Sequence, residues 1–170
     1  MRNCLLLITF LIAATAVFVL RPSASDAQVL TETEKESCER YLSHKIPKFK
    51  IVRKSRPYSK PGLELFVSIL PSEVERDNLI ALSCHLGKEY ARENVLSVWI
   101  LDSERAAKHF NPQGEGNDKA TASSRRALYG FDHENGAGSQ SIQWTPDPNK
   151  RARMILIDLG VAPPLSSPKK

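Results

Sequence analysis

The sequence predicts an α+β domain, a single mostly antiparallel sheet of about six strands with two main helices on one face. Three observations lead there. Short apolar segments with period-two alternation recur along the chain. Two other segments carry apolar residues at helical spacing behind capping-box residues. Clusters of Pro, Gly, Asn and Asp separate most of these segments. The expected order is α-β-β-α-β-(short α)-β-β-β.

The first helix is expected from Thr31. Thr31-Glu32-Thr33-Glu34 fits a capping box, in which the Thr31 hydroxyl accepts from a free backbone N–H and Glu34 reaches back. Cys38, Tyr41, Leu42 and Ile46 follow on one stripe, and Pro47 ends it. Residues 48–53 and 63–70 alternate as two strands of a loose hairpin. The second helix is expected behind Ser72 as N-cap, with Ser72 and Glu75 as another capping box. On it Leu79, Ser83, Leu86 and Tyr90 form one row, and Ile80, Cys84, Gly87 and Ala91 the next. Gly87 brings no side chain to that stripe and so allows a close approach to the sheet. Residues 95–101 are apolar almost throughout, as in an interior strand that completes a right-handed βαβ unit. Asp102 and Ser103 cap a short helix over residues 104–110. Residues 111–124 show no period and are expected as a structureless polar excursion. Residues 126–132, 140–145 and 153–159 then make an antiparallel meander.

The N-terminus reads as a bacterial-type export signal. Arg2 precedes an uncharged run from Cys4 to Leu20, followed by Pro22 and the small-residue exit Ser25-Asp26-Ala27. Cleavage after Ala27 leaves a periplasmic or secreted protein with no stable membrane span. The alternative is an uncleaved anchor, because the run reaches the roughly 17 residues that cross a bilayer as a helix. Residues 28–160 suit one domain. Residues 161–170, with Pro163, Pro164, Pro168, Lys169 and Lys170, are expected to be a disordered tail. The order of elements resembles that of small exported bacterial proteins, a likeness of pattern that implies no activity.

The chain carries 24 Lys+Arg against 19 Asp+Glu, a formal net charge of +5. So mild an excess suits solubility and, secondarily, contact with an anionic surface or polymer. Cys4 leaves with the signal, and Cys38 and Cys84 remain as a pair in an oxidising compartment. A disulfide between the two main helices is expected. It would contribute roughly 3–4 kcal/mol by constraining the unfolded chain.

Familiar catalytic motifs are missing. His44, His85, His109 and His133 offer no metal pair at helical spacing, and H-E-x-x-H is not found. Gly114-Glu115-Gly116 lacks a P-loop context, and Gly136-Ala137-Gly138-Ser139 does not match a nucleophile elbow. No metal or cofactor is expected. Asp132-His133-Glu134 has acid–base capacity but reads equally as a solvated turn. Lys48, Lys50 and Lys54 share one strand face in strict alternation. That face suits an acidic polysaccharide, lipid headgroup or polyphosphate, or else protects an edge strand against aggregation. Few aromatic residues accompany it, which argues against nucleic acid.

The polar segments 110–125 and 132–138 flank the fourth predicted strand and are expected to meet at one end of the sheet. Asn111, Glu115, Asn117, Arg125, Arg126, Asp132, His133 and Glu134 are the binding candidates there. The expected function is that of an exported non-catalytic binding or accessory domain. The alternatives are a small exported hydrolase using Asp132, His133 or Glu134, and a structural or inhibitory partner of another envelope or secreted protein. N-terminal sequencing of the exported protein is expected to begin at Gln28; intact Met1 in a membrane fraction would support the anchor instead.

Overall fold

The computed structural model describes residues 29–57, 62–133, 138–147 and 153–165. The proposed signal at 1–27, the turn residues 58–61, Glu134 and residues 166–170 lie outside the described residues. The elements in order are β1 (Val29–Lys35), α1 (Cys38–Tyr41), β2 (Phe49–Ser55), β3 (Leu63–Ile69), α2 (Arg76–Glu89), β4 (Val95–Leu101), α3 (Glu104–His109), α4 (Lys119–Ser123), β5 (Arg125–Asp132), β6 (Ser139–Trp144) and β7 (Arg153–Val161). The strands form one open seven-stranded sheet in the order β1-β7-β6-β5-β4-β3-β2. Four of its pairings are antiparallel; β1 with β7 and β3 with β4 are parallel. The chain is therefore α+β, with the hairpin β2–β3, the unit β3–α2–β4 and the meander β5 to β7 that the alternation predicts.

The sheet has a seventh strand because the expected first helix is mostly strand. Val29 to Lys35 run beside β7, from Val29 opposite Arg153 to Lys35 opposite Asp158. A capping box is a local signal worth about 1 kcal/mol, whereas the ladder satisfies the backbone of an otherwise open β7 edge. Only one turn of helix survives, α1, and Ser37 caps it by accepting from the Glu39 N–H at 3.3 Å. The second expected capping box also fails to form. Residues Pro71–Glu73 make a 3-10 turn, Glu75 is the N-cap without a side-chain bond, and α2 starts at Arg76. Within that turn the Glu73 carboxylate accepts from the Lys48 N–H at 2.7 Å.

The helices divide between the two faces. α2 buries Leu79, Ile80, Leu82, Cys84 and Leu86 against Leu65, Val67, Val98, Ile100, Tyr129, Ile142 and Ile157. α1 joins it there through a Cys38–Cys84 disulfide, with Cα atoms 5.4 Å apart. α3 lies on the opposite face, where Ala106, Ala107 and Phe110 pack with Phe66, Leu101 and Trp99. The face expected to carry two main helices thus carries α2 and the single turn α1, and the sheet also carries α3, with α4 beside it, on the other. α3 has the predicted cap, Ser103 accepting from the Ala106 N–H at 3.3 Å. At the C-terminal end β7 continues to Val161, and Ala162 is buried, so the packed part reaches past residue 160.

Gly87 sets how closely α2 approaches the sheet. A Cβ there would lie 2.2 Å from the Tyr129 hydroxyl. That hydroxyl donates to Gln140 Oε1 at 2.9 Å, and Gln140 Nε2 donates to the Val161 carbonyl at 2.8 Å. Burial raises the Tyr129 pKa well above its ordinary value. The phenol therefore stays a neutral donor inside the core. Gly87→Ala is expected to lower stability by about 1–3 kcal/mol in urea unfolding. Adding Tyr129→Phe should recover part of that loss, because the hydroxyl is the nearest atom; a double-mutant cycle without coupling would contradict this packing.

Candidate functional site

Residues 110–124 precede β5, and Asp132 and His133 lie at its far end, so the eight residues of this strand hold these candidates roughly 24 Å apart. The candidates accordingly fall into separate groups. The sequence placed both segments beside one strand but did not distinguish its two ends.

The segment before β5 is not structureless. Asp118 caps α4 by accepting from the Thr121 N–H at 2.6 Å, a bond that also lowers the Asp118 pKa. Asn111 and Asn117 clasp each other. The Asn111 N–H donates to Asn117 Oδ1 at 2.8 Å, and Asn117 Nδ2 donates to the Asn111 carbonyl at 2.7 Å. Asn111 Nδ2 further donates to the Glu115 carbonyl at 2.9 Å. These amides mimic backbone turns and spend their hydrogen bonds on the loop itself. The Glu115 side chain is exposed. Arg125 is half-buried, and burial lowers its pKa. Arg126 is held by Asp102, its Nε donating to Oδ2 at 2.6 Å and its Nη2 to the same oxygen.

At the other end of β5, Asp132 and His133 diverge. Asp132 faces the side of the sheet away from α2. His133 turns to the α2 side, its ring 5.0 Å from that of buried Phe131. Its Nε2 is buried without a hydrogen-bond partner among the described residues. Neighbouring residues of an extended chain point to opposite faces, so the two do not form an acid–base pair. Among the described residues no group of three or more His, Cys, Asp or Glu side chains is placed to hold a metal ion.

The basic face is also divided. β2 pairs with β3 through a bulge at Val52, with Ile51 opposite Val67 and Arg53 opposite Phe66. A bulge inserts one residue and reverses the alternation beyond it. Lys50 therefore points to the α3 face, 2.5 Å from Glu104, and Lys54 to the α2 face, 2.8 Å from the Tyr90 hydroxyl. The Tyr90 bond raises the Lys54 pKa. Arg53 stacks over the Phe66 ring at 3.6 Å and donates to the Phe110 carbonyl at 2.6 Å. The Lys48 side chain is exposed at the strand's start. The three lysines do not form one surface.

A different surface emerges where no sequence motif marked it. Away from α2, the face of β4, β5 and β6 carries a shallow trough of about 280 Å³. Its floor is a row of small residues, Ser97 opposite Gly130 opposite Ser141. Asp132 and Ser139 stand at one end, and Leu128 and Gln143 at the other. A Cβ on Gly130 would come within 3.2 Å of the Leu96 carbonyl. The trough exists because strands on the same face bring only hydroxyl-sized side chains to that row, while α3 covers β2, β3 and β4 further along. The only sequence signal was Ser97, Gly130 and Ser141 at strand positions where larger residues are usual; it takes the strand register to show that they adjoin.

No protein family, curated protein or solved structure matches the chain. Asn117→Ala is expected to cost about 1–2 kcal/mol, because it removes the acceptor of the Asn111 backbone N–H and one of the two donors to the Asn111 carbonyl, which keeps only the Gly114 N–H. Limited proteolysis should then cut within residues 111–118 faster than in the parent, with the sheet intact.

Proposed function

We propose that the chain is an exported, non-catalytic binding domain that presents the trough on β4, β5 and β6 to its ligand. The trough is the observation that carries this reading. It is a concave surface on the rigid centre of a sheet, lined by the hydroxyls of Ser97, Ser139 and Ser141, the Gln143 amide and the Asp132 carboxylate. Polar groups fixed on strands recognise a ligand without paying the ordering cost of a loop. The surface is shallow, which suits an extended or flat ligand better than an enclosed small molecule.

Export is supported by the charged start, apolar run and small-residue exit before Gln28. It is supported also by the Cys38–Cys84 bridge, a feature of oxidising compartments. Among the described residues no helix is long and apolar enough to cross a membrane. The hydrolase reading is weakened by the opposed directions of Asp132 and His133. An anionic partner on Lys48, Lys50 and Lys54 is weakened by the bulge that parts Lys50 from Lys54.

Amide shift mapping with a panel of soluble oligosaccharides and extended peptides tests the proposal. Residues Ser97, Gly130 and Ser141 are expected to shift, and Ser141→Arg should weaken binding at least tenfold, about 1.4 kcal/mol, without lowering the melting temperature. Shifts confined to residues 111–124, or undiminished binding by Ser141→Arg, would place the site elsewhere.

A further inference from the structure

β1 is fastened to the protein differently from every other strand. It lies at the edge of the sheet and has one strand neighbour, β7, with an irregular register between Leu30 and Glu32. Thr33 and Lys35 are exposed. Among the described residues, Arg76 at the first turn of α2 links this strand to the helical layer. Arg76 Nε donates to Glu34 Oε2 at 2.9 Å, and Nη2 reaches the same carboxylate oxygen. Nη2 also donates to Glu36 Oε1 at 2.8 Å. Nη1 donates to the Tyr41 hydroxyl at 3.2 Å and to Asp77 Oδ1 at 3.0 Å. One guanidinium thus holds β1, the link after it, α1 and α2 together. Two residues beyond this clasp the chain is pinned covalently, by Cys38 to Cys84.

We propose that β1 is an acid-released strap: protonation of Glu36 opens the Arg76 clasp and frees β1 from β7, while the disulfide keeps α1 docked on α2. The groups that face the clasp come from two helices. Asp77 lies on α2 itself, and α1 supplies the Tyr41 hydroxyl and Arg40, whose Nη1 donates to Glu36 Oε2 at 2.6 Å. Lys35 stands opposite Asp158 of β7, and the His44 ring lies 4.9 Å from that of Tyr41. Burial alone would lower the Arg76 pKa, but its bonds to Glu36, Glu34, Tyr41 and Asp77 raise it above the ordinary value. The guanidinium therefore keeps its charge at every pH at which the protein folds. The Glu36 carboxylate is held below its ordinary pKa of 4.5, first by its hydrogen bond to Arg76. A carboxylate with a depressed pKa stabilises the fold fully above its unfolded value and loses that contribution as pH falls through the folded value. The strap is therefore closed at neutral pH and loses its ionic fastening in acid. The sheet centre depends on such a bond far less, since β5 is paired on both sides and packs buried Ala127, Tyr129 and Phe131, and its carboxylate pairing, Arg126 with Asp102, lies at the strand's start. Opening leaves β7 as a free edge, the kind of surface on which an added strand can pair.

Hydrogen exchange on the full, disulfide-intact protein tests this. After correction for intrinsic rates, protection of the β1 amides is expected to fall at least tenfold between about pH 7 and about pH 3.5. Protection in α2 and β5 should change by less than about twofold. The double variant Glu34→Gln with Glu36→Gln should show the same selective loss at pH 7, without acid. Retained β1 protection in acid or in the variant overturns the proposal. So does loss of protection in β1, α2 and β5 together, which would make β1 part of one cooperative unit.

Discussion

The contact of α2 with the centre of the sheet is the constraint on which the rest of the structure depends. Gly87 removes the one Cβ that would strike the Tyr129 hydroxyl, and the helix settles onto β5 and β6. That distance decides two further things. It buries Tyr129 completely, so its hydroxyl must find an acceptor, and Gln140 on the neighbouring strand supplies one. Gln140 in turn satisfies carbonyls near the end of β7. A single missing side chain is thereby coupled to the register of three strands. A buried polar chain of this kind is favourable only when every member is paired, which ties the helix position to the closing strand of the meander.

The two edges of the sheet are protected in different ways. β2 is bulged at Val52 and carries charged side chains on both faces, each occupied by a local partner. Such an edge resists addition of another strand. The opposite edge is protected by β1, whose attachment is a ladder to β7 and an ionic clasp to α2. Charged hydrogen bonds at a half-buried site are stronger than neutral ones but depend on protonation. The second edge is accordingly conditional where the first is permanent.

The two faces have different roles for the same physical reason. On the α2 face, large apolar residues at alternate positions fill the space beneath the helix. On the other face, α3 covers β2, β3 and β4, and beyond it the alternate positions become Ser97, Gly130 and Ser141. Small and hydroxylated residues leave a hollow that packing does not require. The loop candidates are the reverse case. Asn111 and Asn117 look like ligand groups in a sequence, but their hydrogen bonds are consumed in holding the loop that contains them.

The sequence by itself determined the strands from β2 to β7, the buried stripe of α2, the Ser103 cap and Cys38 and Cys84 as the candidate pair, which the structure joins. Each of these rests on local periodicity or on residue type. The tertiary structure alone decided that residues 29–35 are a strand. Their local preference was weak, and the open edge of β7 offered a ladder of hydrogen bonds that a capped helix did not. It decided also that Lys50 and Lys54 part company at Val52, since a bulge moves one residue out of register without leaving a mark in the alternation. The trough belongs to the same class. Ser97, Gly130 and Ser141 lie far apart along the chain, and only the strand register, fixed by the packing of the opposite face, sets them side by side.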